Sequence, residues 1–236
     1  MRFIWPIVKE TAVYFWDDLF HLVVFNVLTI ITLSPGIFIL QTSVQIQPSP
    51  SPLVYGPLVV LAWLIVPYML FSFYWTAYDI SEGKAIKFST FFRGGRQMLK
   101  HAYIWWSINV IVVSMLILNL VFYLNLGANW SGYVSMFFFG LTLTWILIQL
   151  FALTLYPRLV EPGFRVASRN ALALIAGHPI AILFAGILSI AFIVFGLVIP
   201  PLGWFGSLAI VVMITNMTTH LIIKDTFDAE QPGASG

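Results

Sequence analysis

The chain contains no cysteine, so disulfides, thiolate nucleophiles and Cys-ligated zinc or iron–sulfur centres are excluded. Charge is nearly as scarce: eleven basic and nine acidic residues in 236. A soluble domain of this length exposes more surface than so few charges can cover, and 60% of the residues are hydrophobic. A lipid-facing surface resolves the imbalance. The net charge of +2 is too small to point to a nucleic-acid partner. No GxxxxGK[ST] phosphate loop occurs, and the serines lack a nucleophile-elbow context. Asp17-Asp18 is the only adjacent acidic pair; neighbours on a helix point about 100° apart and do not converge as a dyad. We therefore expect no enzyme activity and no cofactor.

What the chain does have is long apolar runs. A crossing helix needs about 20 predominantly apolar residues. Such runs occupy 19–40, 53–77, 102–124 and 133–156. A double-length run is divided by Pro200-Pro201-Leu202-Gly203 into 179–199 and 202–223, because two prolines and a glycine favour a turn. The expected fold is an all-α integral membrane bundle of six transmembrane helices. Segment 1–18 does not read as a cleaved signal peptide, since it lacks a long apolar stretch before Asp17. With Trp5 and Trp16 among its apolar residues, it reads as an interfacial helix. Segment 224–236 reads as a disordered cytoplasmic tail.

The charges orient this arrangement. With both termini cytoplasmic, all eleven Lys and Arg fall in segments 1–18, 78–101, 157–178 and 224–236, as the positive-inside rule requires. The expected location is a bacterial inner membrane. In the 78–101 loop, Phe88, Phe91, Phe92, Met98, Leu99 and Ala102 share one helical face. Such an amphipathic loop helix suits an inner membrane surface. Lys84, Lys87, Arg93, Arg96 and Lys100, with Arg165 and Arg169 of the next inner loop, are candidate contacts for anionic lipid. Gly94-Gly95 interrupts the helix, as a kink, a hinge or a break, at about 1 kcal/mol per glycine.

On the outer side, 41–52 reads as an uncharged proline-rich connector, and Asn129-Trp130-Ser131 as a chance sequon. Trp130 and Trp204 suit an outer aromatic belt; Trp75, Trp105 and Trp106 suit an inner one. The two inner loops echo each other, each running from a Tyr (Tyr78, Tyr156) through an acidic residue and glycine to a His (His101, His178). Either a parallel duplication or two ordinary loops would give that pattern.

No Asp, Glu, Lys or Arg lies within the six runs, which argues against an ionisable relay. Asn26, Asn109, Gln149 and Asn216 each lie about eight residues from the inner boundary, roughly 12 Å deep at helical rise. Two readings stand: interhelical hydrogen bonding, or a shared polar layer lining a cytoplasm-facing solute cavity. His21, His101, His178 and His220 also share a level, at inner helix ends. They are weak metal candidates, without ligand spacing such as HExxH.

Several short motifs carry a resemblance. Phe15-Trp16-Asp17-Asp18-Leu19 precedes Asn26 and Ser34-Pro35-Gly36; Glu82-Gly83 precedes Phe91-Phe92-Arg93-Gly94; Tyr156-Pro157 is followed by Arg169-Asn170-Ala171-Leu172 and Pro179. In these motifs the chain resembles the YesL-like bacterial integral membrane proteins, a family of unknown function. The proline-rich connector is not a feature associated with that family. The resemblance implies an accessory role beside a carbohydrate transporter and supplies no catalytic residues. Two functions follow as expectations: an accessory component of carbohydrate or small-solute transport, or a structural or assembly subunit of a larger membrane complex. Expected partners are anionic lipids and transporter or other complex subunits.

Overall fold

A computed structural model of the chain describes residues 3–45 and 52–230. Among them, eleven α-helices run α1 Ile4–Asp17, α2 Leu19–Gln45, α3 Pro52–Ala62, α4 Val66–Ser81, α5 Phe88–Gln97, α6 Leu99–Asn125, α7 Ser131–Leu155, α8 Phe164–Gly177, α9 Pro179–Val198, α10 Pro200–Leu202 and α11 Leu208–Glu230. Six stretches are long and apolar enough to cross a membrane: Leu19–Ser43, Val54–Ser81, Leu99–Asn125, Ser131–Arg158, Pro179–Val198 and Gly203–Phe227. The protein is an all-α, multi-pass membrane bundle.

The last crossing is its centre. Within its most apolar window 72% of residues are buried, against 28% or less for every other span. That position explains its composition. Thr215, Asn216, Thr218 and Thr219 are all buried, a polar run that a lipid-facing helix would not carry. Thr215, Thr218 and Thr219 return their hydroxyls to carbonyls of their own helix, and Thr219 also meets Thr154 of α7 at 2.8 Å.

The interruptions are where the sequence shapes the bundle. Pro35 stands inside α2 and has no N–H for the carbonyl of Ile31. Ser34 Oγ donates to that carbonyl at 2.8 Å. Gly36 then leaves room for Trp63, whose ring occupies the space of a Cβ and whose Nε1 donates to the Leu33 carbonyl at 2.9 Å. The Ser-Pro-Gly motif is thus one packing unit.

Several expectations are corrected. The second crossing is not one helix: it breaks at 63–65 between α3 and α4. Pro67 is the cause, since it cannot donate to the carbonyl four residues back and disfavours helix at Val66. The Val66 amide takes up the Trp63 carbonyl at 3.1 Å, and the Tyr103 hydroxyl donates to the Leu64 carbonyl at 2.8 Å. Helix α2 continues to Gln45, past the expected end at 40, since no proline follows Pro35 until Pro48. Residues 46–51 of the proline-rich connector lie outside the described residues. Residues 224–230, expected as disordered tail, extend α11 to Glu230, and 231–236 lie outside the description. Helix α1 is docked against α11 rather than lying apart, with Ile7 and Thr11 buried and Trp5 and Trp16 exposed.

The Gly94-Gly95 pair is neither a kink nor a break. Helix α5 runs through it, and the chain bends only at Met98. Both glycines press onto α4: a Cβ on Gly94 would lie 2.5 Å from Trp75 Cγ, and one on Gly95 would lie 2.0 Å from Ser72 Oγ. The phenylalanine face of α5 is shared between protein and surroundings. Phe91 is fully buried and stacked on Phe25 at 4.2 Å, whereas Phe88 and Phe92 are about two-fifths exposed. Replacing Gly95 by valine should destabilise the protein by about 1–3 kcal/mol through overpacking. Thermal unfolding in detergent, with Gly83→Ala as a comparison at an uncrowded but left-handed turn glycine, measures it. An unchanged midpoint for Gly95→Val would contradict the close packing.

Candidate functional site

Helices α6 and α7 pack side by side, and each carries a tryptophan four residues before an amide: Trp105 and Asn109, Trp145 and Gln149. Four residues is one helical turn, so ring and amide share a face. The two pairs engage reciprocally. Trp105 Nε1 donates to Gln149 Oε1 at 2.8 Å, and Trp145 Nε1 donates to Asn109 Oδ1 at 3.0 Å. Asn109 Nδ2 donates to the Trp105 carbonyl at 2.9 Å and reaches Gln149 Oε1 at 3.4 Å. The repeated spacing was present in the sequence as W-x-x-x-N and W-x-x-x-Q.

This lattice forms a polar floor in a cavity of about 1180 Å³. The walls come from α2, α3, α4, α6, α7, α9 and α11, and they are mostly aliphatic. The lining extends from Ser43 and Tyr55, near the connector between α2 and α3, to Tyr74 and Leu153 deep in the bundle. Two lining residues, Gln149 and Trp106, each carry a donor without a partner, Nε2 and Nε1, and both atoms are covered from the cavity as the side chains stand. A buried donor left unpaired costs about 1–3 kcal/mol. A guest oxygen relieves that cost only once a side-chain rotation turns a donor into the cavity, whose aliphatic walls would hold an apolar body. Trp105 and Trp106, expected in an inner aromatic belt, line this cavity.

The four amides do not form one layer. Only Asn109 and Gln149 meet. Asn26, fully buried in α2, bridges the turn that starts the last crossing. Its Nδ2 donates to the carbonyls of Gly203 and Trp204 at 3.1 and 2.6 Å, and its Oδ1 accepts from the Ala209 amide at 2.9 Å. The amide is inserted beside a widened, π-helical turn at Gly203–Ser207, a known cause of local unwinding. Asn216 faces the opposite end of α11, where its Oδ1 accepts from Arg158 Nη1 at 3.0 Å. Asn26 thus sits level with 203–209 and Asn216 further along the same helix toward Arg158, so the expected common level is not kept.

Arg158 was not among the expected site residues. It closes a 3₁₀ turn after α7 (Tyr156–Arg158) and folds back under the bundle. Its guanidinium donates to the Thr154 carbonyl, to Asn216 Oδ1 and to Ser81 Oγ, and lies over the Tyr78 ring at 4.8 Å. The signal was Pro157, which turns the chain at the end of a span and so returns the next side chain inward.

The histidines separate. His21 lies 3.8 Å from Asp18, whose carboxyl is held above its usual range by burial, an effect that outweighs the nearby imidazole. His101 neighbours Tyr156, His178 meets Phe3 edge to face at 5.4 Å, and His220 Nδ1 lies 3.2 Å from Glu82 Oε1. Among the described residues no three His, Asp or Glu gather to hold an ion. In the basic loop, Lys84 pairs with Asp79 at 2.9 Å, and that hydrogen bond raises its pKa. Lys87, Arg93, Arg96, Lys100, Arg165 and Arg169 are exposed.

Comparison of the chain with protein-family models, with curated proteins and with solved structures finds no match. The functional reading accordingly rests on this chain's own geometry.

A double-mutant cycle on Asn109→Leu and Gln149→Leu should give a coupling of about 0.6 kcal/mol, the typical size for a polar pair inside a membrane bundle. Unfolding in mild detergent supplies the four stabilities. Strict additivity would contradict the shared lattice.

Proposed function

We propose that the protein is a ligand-binding membrane component that takes an amphipathic, largely apolar molecule into the α6–α7 cavity. On entry, rotation of the Gln149 amide or the Trp106 ring opens a donor to the guest's acceptor oxygen, and the hydrocarbon lies along the aliphatic walls. It is a binding protein rather than an enzyme, and it works beside a carbohydrate or other small-solute transporter, the setting suggested by the YesL-like resemblance. The single observation that carries the reading is a largely apolar cavity with two lining residues, Gln149 and Trp106, that each hold a donor without a partner. The cavity also favours this guest over a small hydrophilic solute, for which the aliphatic walls offer no hydrogen bonds.

The orientation belongs to the same proposal. Contacts of Phe3 with His178, Arg158 with Ser81 and His220 with Glu82 gather the N-terminal segment, both basic loops and the distal part of α11 at one end. Placing that end in the cytoplasm of a bacterium satisfies the positive-inside bias, and the exposed cations of α5 and α8 then face anionic lipid headgroups.

Protein purified in its native lipid, extracted with organic solvent and analysed by mass spectrometry should release one enriched amphipathic species. Trp106→Phe and Gln149→Leu should each retain about fivefold less of it, for about 1 kcal/mol per lost hydrogen bond. Release of bulk lipid alone, unaffected by either substitution, would contradict ligand binding. Co-purification of a stoichiometric protein partner without such a species would favour the assembly-subunit reading.

Neutralising Lys84, Lys87, Arg93, Arg96 and Lys100 together should invert or mix the topology, read by cysteine accessibility at engineered sites in the cysteine-free chain. An unchanged accessibility map would contradict the orienting role of this loop.

A further inference from the structure

We propose that a second cavity, at the end of the bundle where the basic loops meet, binds an anionic group, a phosphate or a carboxylate, through Arg158. This cavity has a volume of about 420 Å³, several times the roughly 30 Å³ share of one water. It is walled by Tyr78 of α4, Glu82 just beyond that helix, Asn170 of α8, His220 of α11 and Arg158 itself.

The argument begins with the partners Arg158 has. All are neutral: a backbone carbonyl, an amide oxygen, a hydroxyl and an aromatic face. Among the described residues no carboxylate lies within ion-pairing distance of it. A guanidinium has five N–H donors. Three hydrogen bonds are made, so two N–H groups are left for another acceptor. Glu82 acts on Arg158 electrostatically without forming an ion pair with it, and it also meets His220 at 3.2 Å. A partly desolvated guanidinium gains from a directly paired anion.

An anion seated in the cavity would give Arg158 the direct ion pair that Glu82 does not make. Arginine presents a planar fork suited to phosphate and carboxylate oxygens, and here it is held rigidly by three helices. Asn170 also lines the cavity, and its amide carries a further N–H donor. Exposed Lys84, Lys87 and Arg169 stand at the same end and raise the local concentration of anions. Glu82 acts the other way: its charge weakens the site and sets its affinity. One ligand chemistry has two sources here, a free phosphate-bearing solute or the headgroup of an anionic lipid.

The test uses the full chain in nanodiscs of phosphatidylcholine, titrated with inorganic phosphate and followed by calorimetry. A second arm uses nanodiscs containing a minority of phosphatidylglycerol, with retained lipid read by native mass spectrometry. Saturable phosphate binding identifies a free anion; retained phosphatidylglycerol without phosphate binding identifies a headgroup. In the arm that binds, Arg158→Met should weaken binding about tenfold or more. Arg158→Lys should weaken it less, and Glu82→Gln should strengthen it severalfold. The gain expected of Glu82→Gln keeps the test decisive even where Arg158→Met fails to fold. The proposal is overturned by absence of binding in both arms, by binding indifferent to Arg158, or by unchanged or weakened binding in Glu82→Gln.

Discussion

In hydrocarbon, a backbone carbonyl or amide that loses its helical partner has no water to turn to. The rest of this structure depends on how three interruptions meet that constraint. Pro35 orphans the Ile31 carbonyl, and Ser34 takes it. Pro67 breaks the second crossing, and the hydroxyl of Tyr103, from a different helix, reaches the Leu64 carbonyl. The widened turn at Gly203–Ser207 is bridged by Asn26 from the far side of the sequence. The second and third remedies are tertiary contacts, so the interruptions also join helices that are distant in the chain: α4 to α6, and α2 to the start of the last crossing. Trp63 adds a fourth tie, seated on Gly36 and bonded to the Leu33 carbonyl.

The same constraint gives the large cavity its meaning. Asn109, Trp105, Trp145 and the Gln149 oxygen form a closed reciprocal set. Gln149 Nε2 and Trp106 Nε1 are left out of it, as are the buried hydroxyls of Thr11, Tyr156, Ser168 and Ser189 elsewhere, but only Gln149 and Trp106 belong to residues that line the large cavity. The arrangement is polar at one place and apolar elsewhere, which is the pattern of an amphipathic guest. At the other end, Arg158 poses the complementary case: its hydrogen bonds tie α4, α7 and α11 together, and Glu82 offsets its charge without an ion pair. The two cavities differ in chemistry and would take different molecules.

The crossings were legible in the sequence because hydrophobic length is set by bilayer thickness. That the amides lie inside crossings was legible too. Their levels and their partners were not, since Asn26 meets 203–209 while Asn216 meets Arg158. A crossing helix is apolar almost all round, so its hydrophobic pattern says little about which way an Asn26 or an Asn216 is turned. Gly94-Gly95 illustrates the same limit. As an isolated helix it reads as a weak point, and only the presence of Trp75 and Ser72 opposite reveals a close contact. Arg158 reads as one more loop cation until Pro157 is seen to turn it back beneath the bundle. The break at 63–65 was different, since Pro67 stood in the sequence as its cause.

Hydrogen–deuterium exchange on Asn26→Leu tests the central account most directly, because leucine keeps the volume and removes both halves of the bridge. With the protein in nanodiscs and peptides resolved by mass spectrometry, the account predicts much faster exchange in the peptide covering 203–209, with α9 and the middle of α11 still protected. Exchange across 203–209 identical to that of the unaltered protein would contradict it, since the turn would then hold without the side chain that bridges it.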